Sequence, residues 1–216
     1  MEVNRDQSLS YLIGAFLGDG CNYRKKHNYQ ISITSEDDDF CEKVKVIIEE
    51  VFNKSGSIKK VKRKDGTYSY SQLVVCSKEI SDYFQDITGN RDKIPDFIYN
   101  DKNMIKLFTR GLMDADGWIS KVNASDGYTR FRTGFKNIKD WVSEFRDIFD
   151  ILNIRAGQVR KRENYRYAVR TKDTFQFTIN SEDFCNNVGF SIDRKVKLQN
   201  EYLNWVKVPH IRQKTQ

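Results

Sequence analysis

Residues 111–117 read GLMDADG, two aspartates and a glycine that directly follow an apolar helical stretch. A carboxylate at the last turn of a helix faces the negative end of the helix macrodipole, so electrostatics disfavours it there. Residues 11–20, YLIGAFLGDG, have nearly the same shape, an apolar stretch followed by an acid and a glycine. The two stretches therefore predict a pair of buried helices, each ending where a cation is needed.

The two stretches open halves of the chain that resemble each other. In each half the apolar stretch is followed by two strand-like segments, a helical segment, two more strand-like segments and a short helix. This order predicts an α+β fold of two pseudo-symmetric α-β-β-α-β-β-α repeats, residues 1–100 and 101–216. We expect each repeat to form an antiparallel sheet, the two sheets to make a saddle, and the two apolar helices to pack at the repeat interface.

Hydrophobic periodicity assigns elements within each half. An alternating pattern predicts a strand over 28–35. Apolar residues at helical spacing predict helices over 37–52, 78–88, 140–152 and 181–187. Asp65-Gly66 and Asp126-Gly127 are typical turn pairs and predict hairpins between neighbouring strands.

The composition excludes several classes of protein and site. The 216 residues contain only two histidines, which argues against His-ligated metals and Ser-His-Asp triads. The four cysteines form no C-x-x-C pair, so we expect buried, reduced thiols rather than a zinc site or a disulfide framework. No apolar run approaches the roughly 20 residues that span a bilayer, and the N-terminus lacks an apolar signal region. The sequence therefore predicts a soluble, intracellular protein with no membrane partner.

The positive charge of the chain is concentrated on its predicted strands. Lysine and arginine number 37 against 30 acids, a net charge of +7, and the acids gather on the predicted helices. This segregation favours a surface that binds a polyanion. A two-stranded ribbon fits the DNA major groove, where Arg reads guanine and Gln or Asn reads adenine. The candidate DNA contacts are Arg24, Lys25, Gln30, Ser32, Thr34, Lys60, Lys62, Lys64, Tyr68, Tyr70, Gln72, Arg130, Arg132, Lys136, Arg160, Arg162, Arg166 and Arg170.

The ends of the two apolar helices predict a metal site. Each helix has two small residues four apart, which would let the helix backbones approach closely. Parallel packing would bring Asp19 and Asp116 together beside the free carbonyl oxygens of the last turns, and Mg²⁺ prefers such hard oxygen ligands. Gly20 and Gly117 are expected to be left-handed C-caps. The small residues are Gly14 and Gly18 in the first helix and Gly111 and Ala115 in the second.

LIGAFLGDG (12–20) and TRGLMDADG (109–117) resemble the two signature motifs of the LAGLIDADG homing endonucleases in their single-chain, two-motif form. The resemblance covers nearly the whole chain, because the order of strands and helices after each motif also matches. It implies a monomeric, site-specific endonuclease that cuts both strands of a long, asymmetric double-stranded DNA target with Mg²⁺ or Mn²⁺.

The resemblance assigns the metal ligands. The later acid of each motif binds the metal in the family, so Asp19 and Asp116 would have that role here. The backbone carbonyls of Gly18 and Ala115 would assist them.

Basic residues near the metal follow from the same resemblance. RDKIPDF (91–97) is similar to the Lys-x-Pro stretch that precedes the second motif, so Lys93 is a catalytic candidate. In the second half GFSIDRKVKL (189–198) takes the corresponding place, and Lys195 is the candidate there. A lysine at this place would stabilise the charge that develops on the phosphate. The rivals of Lys195 are Arg194 and Lys197.

The chain also departs from the family pattern. The first motif carries Leu17 where the first aspartate of the motif often stands. Family members often carry Gln or Lys at the end of the second strand, where this chain is expected to have Ser35 and Lys136.

Two other functions use the same fold. The first is a splicing maturase that binds structured intron RNA and does not cut it. The second is a sequence-specific DNA-binding protein without nuclease activity. The acid in both motifs favours the endonuclease, because neither alternative needs Asp19 and Asp116.

Overall fold

The chain folds into two similar halves of helices and strands. The computed structural model describes residues 6–62, 69–123, 129–163, 165–166, 169–170 and 173–207. The first half contains α1 (Gln7–Asp19), β1 (Gly20–Lys25), β2 (Asn28–Ser35), α2 (Asp38–Phe52), β3 (Ser57–Lys62), β4 (Ser69–Cys76) and α3 (Lys78–Thr88). A 3₁₀ helix, Asp96–Asn100, precedes the second half. The second half contains α4 (Lys102–Asp116), β5 (Gly117–Asn123), β6 (Thr129–Asn137), α5 (Val142–Ile151), β7 (Arg160–Arg162), β8 (Tyr165–Arg166), β9 (Val169–Arg170), β10 (Thr174–Ile179), α6 (Ser181–Asn187) and α7 (Asp193–Lys207).

This order confirms the predicted α+β fold of two α-β-β-α-β-β-α repeats. The second half adds the β8–β9 hairpin and the helix α7 to that plan. Each half has a four-stranded antiparallel sheet, with the strand orders β1-β2-β4-β3 and β5-β6-β10-β7. The registers also correspond, because Gly20 pairs with Ile33 in the first sheet and Gly117 pairs with Phe135 in the second.

Side-chain caps explain where several helices begin. The Asp6 carboxylate accepts a hydrogen bond from the Leu9 N–H at 3.0 Å at the start of α1. The Ser77 hydroxyl accepts from the Ile80 N–H at 3.3 Å at the start of α3. Each cap satisfies a backbone donor that has no partner within its helix. The predicted helices over 78–88 and 181–187 are confirmed residue for residue.

The chain divides by its internal contacts into two compact units, Met1–Ala115 and Asp116–Gln216. All of α4 except Asp116 therefore belongs to the first unit, together with α1. The repeat boundary at residue 100 is a boundary of sequence similarity rather than of contacts, and it stays a prediction.

Two glycines bring the backbones of α1 and α4 into contact within the first unit. A Cβ atom on Gly14 would lie 2.1 Å from the carbonyl oxygen of Phe108, and one on Gly111 would lie 2.1 Å from that of Tyr11. Non-bonded atoms do not approach so closely, so a side chain at either position would force the helices apart. Gly14 and Gly111 thus allow the close approach that the spacing of small residues predicts.

The two motif helices do not end in left-handed glycines. Gly20 caps α1 with φ −78° and ψ 157°, and Gly89 and Gly189 are the only glycines with positive φ in the described ranges. The left-handed caps predicted at Gly20 and Gly117 are therefore wrong, because each helix passes directly into a strand. Gly20 is needed for space instead, since a Cβ atom there would lie 2.3 Å from Cδ2 of Phe16.

Aromatic residues fill the core between each sheet and the helices of its own unit. In the first unit the rings of Phe16 and Phe84 lie 4.3 Å apart, and in the second the rings of Phe135 and Phe145 lie 4.6 Å apart. All four side chains are fully buried, so each unit has its own hydrophobic core. Among the described residues, no helix is both long and apolar enough to cross a membrane.

The cysteines are only partly buried. All four are free thiols, with Cys41 buried and Cys185 partly buried. Burial raises the pKa of Cys41 to about 11 and that of Cys185 to about 12. Cys21 and Cys76 are exposed, so the expectation of buried thiols is wrong for these two.

Candidate metal centre and nucleic-acid interface

The C-terminal end of α1 carries the first predicted metal ligand. Asp19 is the last residue of α1 and is partly buried. The carbonyl groups of the last turn have no partner within the helix, so negative charge accumulates there. Arg91 supplies a cation to this end, since its Nε and Nη2 lie 3.1 and 2.6 Å from the Leu17 carbonyl oxygen. Its guanidinium also donates to the carbonyl oxygens of Gly18 and Gly20.

Arg91 is held by an unusual stretch of backbone. Gly89, Asn90 and Arg91 have φ values of 55°, 61° and 70°, three left-handed residues in a row. This conformation costs a residue such as arginine roughly 1–2 kcal/mol. Such strain persists where the surrounding structure fixes it, and it often marks functional positions. The loop after α3 therefore stores strain to aim a guanidinium at the end of α1.

The C-terminal end of α4 has a neutral partner instead. Asp116 is partly buried, and the Asn137 amide donates from Nδ2 to Oδ2 of Asp116 at 2.6 Å. Asn137 itself is 8% exposed, and its Oδ1 accepts from the Lys139 N–H at 3.0 Å. The backbone thus fixes the orientation of the amide, and the amide fixes the orientation of the carboxylate.

Asn137, and not Lys136, is the counterpart of Ser35. Ile33 pairs with the motif glycine Gly20, and Phe135 pairs with the motif glycine Gly117. Ser35 lies two residues beyond Ile33, and Asn137 lies two residues beyond Phe135. The placement of Lys136 at this position is therefore wrong by one residue, which in a strand moves the side chain to the other face. The register that identifies Asn137 is set by the pairing of β5 with β6, so the sequence alone does not give it. Ser35 differs in use, because its hydroxyl accepts from the Asp37 N–H at 3.1 Å.

The two aspartates of GLMDADG have different environments. Asp114 is 2% exposed and accepts a hydrogen bond of 2.8 Å from the Tyr11 hydroxyl, which ties α4 to α1. The Lys43 ammonium lies 4.3 Å from the centroid of the Tyr11 ring. Burial lowers the pKa of Lys43, and the charge of Asp114 partly offsets that shift. Asp114 is therefore a buried interhelical contact, and Asp116 is the acid placed at the helix end.

The predicted lysines differ in exposure. Lys93 is exposed in the loop that follows Arg91. Lys195 is 3% exposed, in the first turn of α7, with its ammonium 5.6 Å from the centroid of the Phe190 ring. The rivals Arg194 and Lys197 are both exposed. A buried ammonium is rare unless it is compensated, so burial distinguishes Lys195 from its rivals. The catalytic roles of Lys93 and Lys195 stay predictions.

Strand alternation assigns side chains to the two faces of the first sheet. Ile31 and Ile33 point to the helices, so the residues that alternate with them lie on the opposite face, which we call the first open face. Lys25 and Lys59 are its exposed cations. Most of its other residues are neutral. The first open face includes Cys21, Tyr23, Lys25, Gln30, Ser32, Thr34, Lys59, Tyr70, Gln72 and Cys76.

The second sheet has a much more basic open face. Phe135 and Phe177 point to the helices, and the residues that alternate with them form the second open face. Its five cations are all exposed, and the strand residues that the structure describes include no acid. The second open face includes Trp118, Ser120, Arg130, Arg132, Lys136, Arg160, Arg162, Gln176 and Thr178.

A cleft of about 450 Å³ lies on the second open face. Trp118 lines it together with Arg132, Arg160 and Arg162. The indole has room because of a glycine, since a Cβ atom on Gly134 would lie 2.5 Å from Cζ2 of Trp118. A guanidinium group suits a phosphate, and an aromatic side chain suits a nucleic-acid base that stacks on it. Trp118 was not among the predicted contacts, although its place directly after the motif glycine puts it on this face.

Three predicted contacts lie on the helix-covered face of the first sheet. Lys60 forms an ion pair with Asp38 of α2, and Lys62 shares its face by alternation. Arg24 forms an ion pair with Asp82 of α3. Their side chains pair with helices or point toward them. The candidate interface therefore includes Lys59 and excludes Lys60, Lys62 and Arg24.

Four further predicted contacts cannot be placed on a face. Lys64 and Tyr68 lie outside the described residues, as do the turns predicted at Asp65-Gly66 and Asp126-Gly127. Arg166 and Arg170 belong to the paired strands β8 and β9, but their side chains are outside the described part of the chain. Their DNA contacts stay predictions.

The donors at both helix ends suit a hard divalent cation. Asp19, Asp116 and the backbone carbonyl of Ala115 offer oxygen atoms, the ligands that Mg²⁺ and Mn²⁺ prefer. Within the described ranges no group of three or more His, Cys, Asp or Glu side chains comes together. An ion at either helix end would therefore complete its coordination with backbone, water or phosphate oxygens. At α1 the Gly18 carbonyl already accepts from Arg91.

A protein-family model matches part of the first half of the chain. Residues 6–88 match the family model described as a LAGLIDADG-like domain. This match covers α1 to α3 and confirms the resemblance for the part of the chain that holds the first motif. No curated protein sequence matches the chain.

Comparison with solved structures extends the fold to both halves. The homing endonuclease I-DmoI in complex with DNA and Mn matches with a TM-score of 0.58 and 18% identity, over 85% of this chain and 96% of that one. I-DmoI with DNA and Ca matches with a TM-score of 0.58 and 16% identity, over 90% and 97%. The N-terminal LAGLIDADG domain of DUF199/WhiA matches with a TM-score of 0.56 and 15% identity, over 90% and 87%. At these identities the matches establish the shared LAGLIDADG fold.

Proposed function

We propose that this LAGLIDADG-fold chain is a metal-dependent, site-specific endonuclease that hydrolyses both strands of a long, asymmetric DNA target. One observation carries the proposal: each motif helix ends in a partly buried aspartate, Asp19 in α1 and Asp116 in α4. Electrostatics disfavours an acid at this position, so a role that needs a cation explains both acids. The acid-free strands support DNA as the substrate.

The residues would divide the reaction between them. Asp19 and Asp116 would hold Mg²⁺ or Mn²⁺, which when bound supplies an activated water and stabilises the leaving oxygen. Asn137 keeps the Asp116 carboxylate in one orientation through its 2.6 Å hydrogen bond. The five cations of the second open face would bind backbone phosphates, while Gln30 and Gln72 of the first would read base edges.

Cleavage of a randomised double-stranded DNA library tests the proposal. The purified chain is incubated with the library and Mg²⁺, and cut ends are sequenced. We expect the ends to converge on one long site. The Asp116→Asn variant should lose cleavage and keep DNA binding, because the amide retains the shape of the side chain and removes its charge.

Binding measurements on the same library provide the control. A pull-down with the wild-type chain should enrich the site that the cut ends define. Undiminished cutting by Asp116→Asn would remove this residue from the reaction. An enriched bound site without cut ends, in either Mg²⁺ or Mn²⁺, would replace the endonuclease by a DNA-binding protein.

A non-cleaving DNA-binding protein is the second candidate. It is favoured by Arg91, because a guanidinium on the Gly18 carbonyl neutralises the end of α1 without any metal. The match to the LAGLIDADG domain of DUF199/WhiA shows that the fold also occurs in a protein not named as an endonuclease. The splicing maturase with an intron RNA partner stays a prediction, as does the monomeric state.

A further inference from the structure

Different side chains hold the two helix ends. At α1 the partner is the Arg91 guanidinium, which donates to three backbone carbonyl oxygens. At α4 the uncharged amide of Asn137 donates to the carboxylate of Asp116 itself. The two ends therefore present different surroundings to an approaching cation, although the motifs that build them are alike.

We propose that Arg91 competes with a divalent cation for the end of α1, so that loss of its guanidinium strengthens metal binding by the first repeat. This inference rests on the proposed function, which places a metal at Asp19 and Asp116. A metal that takes the Gly18 carbonyl as a ligand must displace the guanidinium or lie within a few ångströms of it. Two positive charges at that distance repel each other, and the repulsion weakens binding of the metal.

The backbone around Arg91 supports a dedicated role. Three consecutive left-handed residues, two of which are not glycine, place its side chain. The Arg91 N–H also approaches Oγ1 of Thr88 at 3.4 Å, and the Asp92 N–H donates to the Thr88 carbonyl at 2.9 Å. The end of α3 thus anchors the loop, so displacement of the guanidinium requires rotation of the side chain rather than movement of the chain.

Planarity makes arginine suited to this position. The guanidinium presents several N–H donors in one plane and can serve three carbonyl groups at once. A lysine would bring the same charge with a single, freely rotating ammonium. Substitution of Arg91 by lysine therefore separates the effect of the positive charge from the effect of the planar donor geometry.

Binding of Mn²⁺ to the full chain, without DNA, tests the inference. Electron paramagnetic resonance of free Mn²⁺ gives the number of bound ions and their Kd, independently of catalysis. The Asp116→Asn background restricts strong binding to the first repeat. In that background we expect Arg91→Asn to bind Mn²⁺ about tenfold more tightly than the parent, a difference of about 1.4 kcal/mol. Asparagine tolerates the left-handed backbone, so this variant should keep the loop.

Three further variants identify the cause of the tighter Mn²⁺ binding expected for Arg91→Asn. Arg91→Lys should leave Mn²⁺ binding close to the parent, because the positive charge remains. Addition of Asp19→Asn to Arg91→Asn should abolish the gain, because the carboxylate that holds the ion is lost. Arg24→Gln, which breaks an exposed ion pair with Asp82 in the same unit, should leave the Kd unchanged. Circular dichroism of each variant reports whether the fold is kept.

Each contrary result overturns the inference. A Kd for Arg91→Asn within twofold of the parent, a gain that survives Asp19→Asn, or no Mn²⁺ binding by any variant would show that Arg91 does not compete with a cation. These outcomes are distinct from failure of the proposed function, because library cleavage by the wild-type chain is measured separately. A wild-type chain that cuts DNA while Arg91→Asn leaves metal binding unchanged keeps the function and removes only the competition.

Discussion

The two sheets have the same topology, but their open faces differ in charge. The first carries amides, hydroxyls and two exposed lysines, Lys25 and Lys59. The second carries four arginines and Lys136, all exposed, around the cleft with Trp118. Cations bind phosphates whatever the sequence, whereas amides distinguish bases by their hydrogen bonds. Under the proposed function, the second face contributes most of the DNA affinity, and the first contributes a larger share of the discrimination between sequences.

The largest effect should follow from removal of cations on the second face. Arg132→Gln, Arg160→Gln and Arg162→Gln together should weaken DNA binding by about 10²-fold near 0.1 M salt and lower the salt slope by about 3. Fluorescence anisotropy at several salt concentrations measures both quantities. The matched control on the first face is Gln30→Ala with Thr34→Ala and Gln72→Ala, which should keep the salt slope and reduce preference for the target over random DNA.

An equal fall of the salt slope in both triple variants would end the proposed division of labour. An unchanged slope in the arginine variant would mean that DNA binds elsewhere on the chain. Either result requires that circular dichroism spectra of the variants match the wild type.

A smaller effect is expected on the alkylation of Cys21 and Cys76, because bound DNA would cover these thiols on the first open face. Cys21 and Cys76 are exposed there, beside Ser32 and Gln30 on the neighbouring strand. Target DNA at about ten times its Kd leaves roughly a tenth of the protein free, so alkylation of both thiols at pH 8 should slow about tenfold. Mass spectrometry of the alkylated peptides measures each thiol separately. Equal rates with and without DNA would remove the first face from the interface.

Cys41 and Cys185 are internal controls in that experiment. Burial raises their pKa values to about 11 and about 12, so few thiolates form at pH 8 in the folded chain. Their reaction should become faster only as the pH rises toward those values, and DNA should not change it. Rapid alkylation of Cys41 at pH 8 would indicate an open or unfolded first unit.

The smallest effect separates two adjacent lysines. Lys59→Gln should weaken DNA binding several-fold and lower the salt slope by about 1, because Lys59 is on the first open face. Lys60→Gln should leave the slope unchanged, because Lys60 pairs with Asp38 on the other face. The reverse result would mean that DNA approaches the helix-covered side of this strand.

Lys59 and Lys60 also illustrate how far sequence reasoning reaches. Period-two alternation correctly separates the residues of each strand into two sets. In the second half it places Arg130 with Arg132 and Arg160 with Arg162, and strand pairing brings both pairs to one face. Alternation does not say which set faces the helices when both contain lysine. For β3 that choice depends on pairing with β4, where the partly buried Ile58 pairs with the buried Leu73, so the strand cannot be assigned by itself.

The candidate site, too, can be predicted from the sequence only in part. Asp19 and Asp116 follow from the sequence, because each is read together with its own helix and glycine. Arg91 and Asn137 could not be predicted in the same way, since both reach the helix ends from other elements of the fold. Their roles depend on a left-handed loop and on a strand register, which are tertiary features. The resemblance to the Lys-x-Pro stretch points to Lys93, whereas the structure directs Arg91, two residues earlier, to the end of α1. Side-chain direction in a loop is not a property of local sequence.

The close approach of α1 and α4 at Gly14 and Gly111 limits how this chain can be cut and recombined. A fragment that stops at residue 100 would lose α4 and leave the glycine-lined side of α1 against water. Expression of the halves as separate polypeptides, or exchange of one half with that of a relative, therefore has to carry residues 102–115 with the amino-terminal part. Hybrids joined after Ala115 retain this helix pair, whereas hybrids joined at the sequence repeat depend on the donor having glycine at the same two contact points.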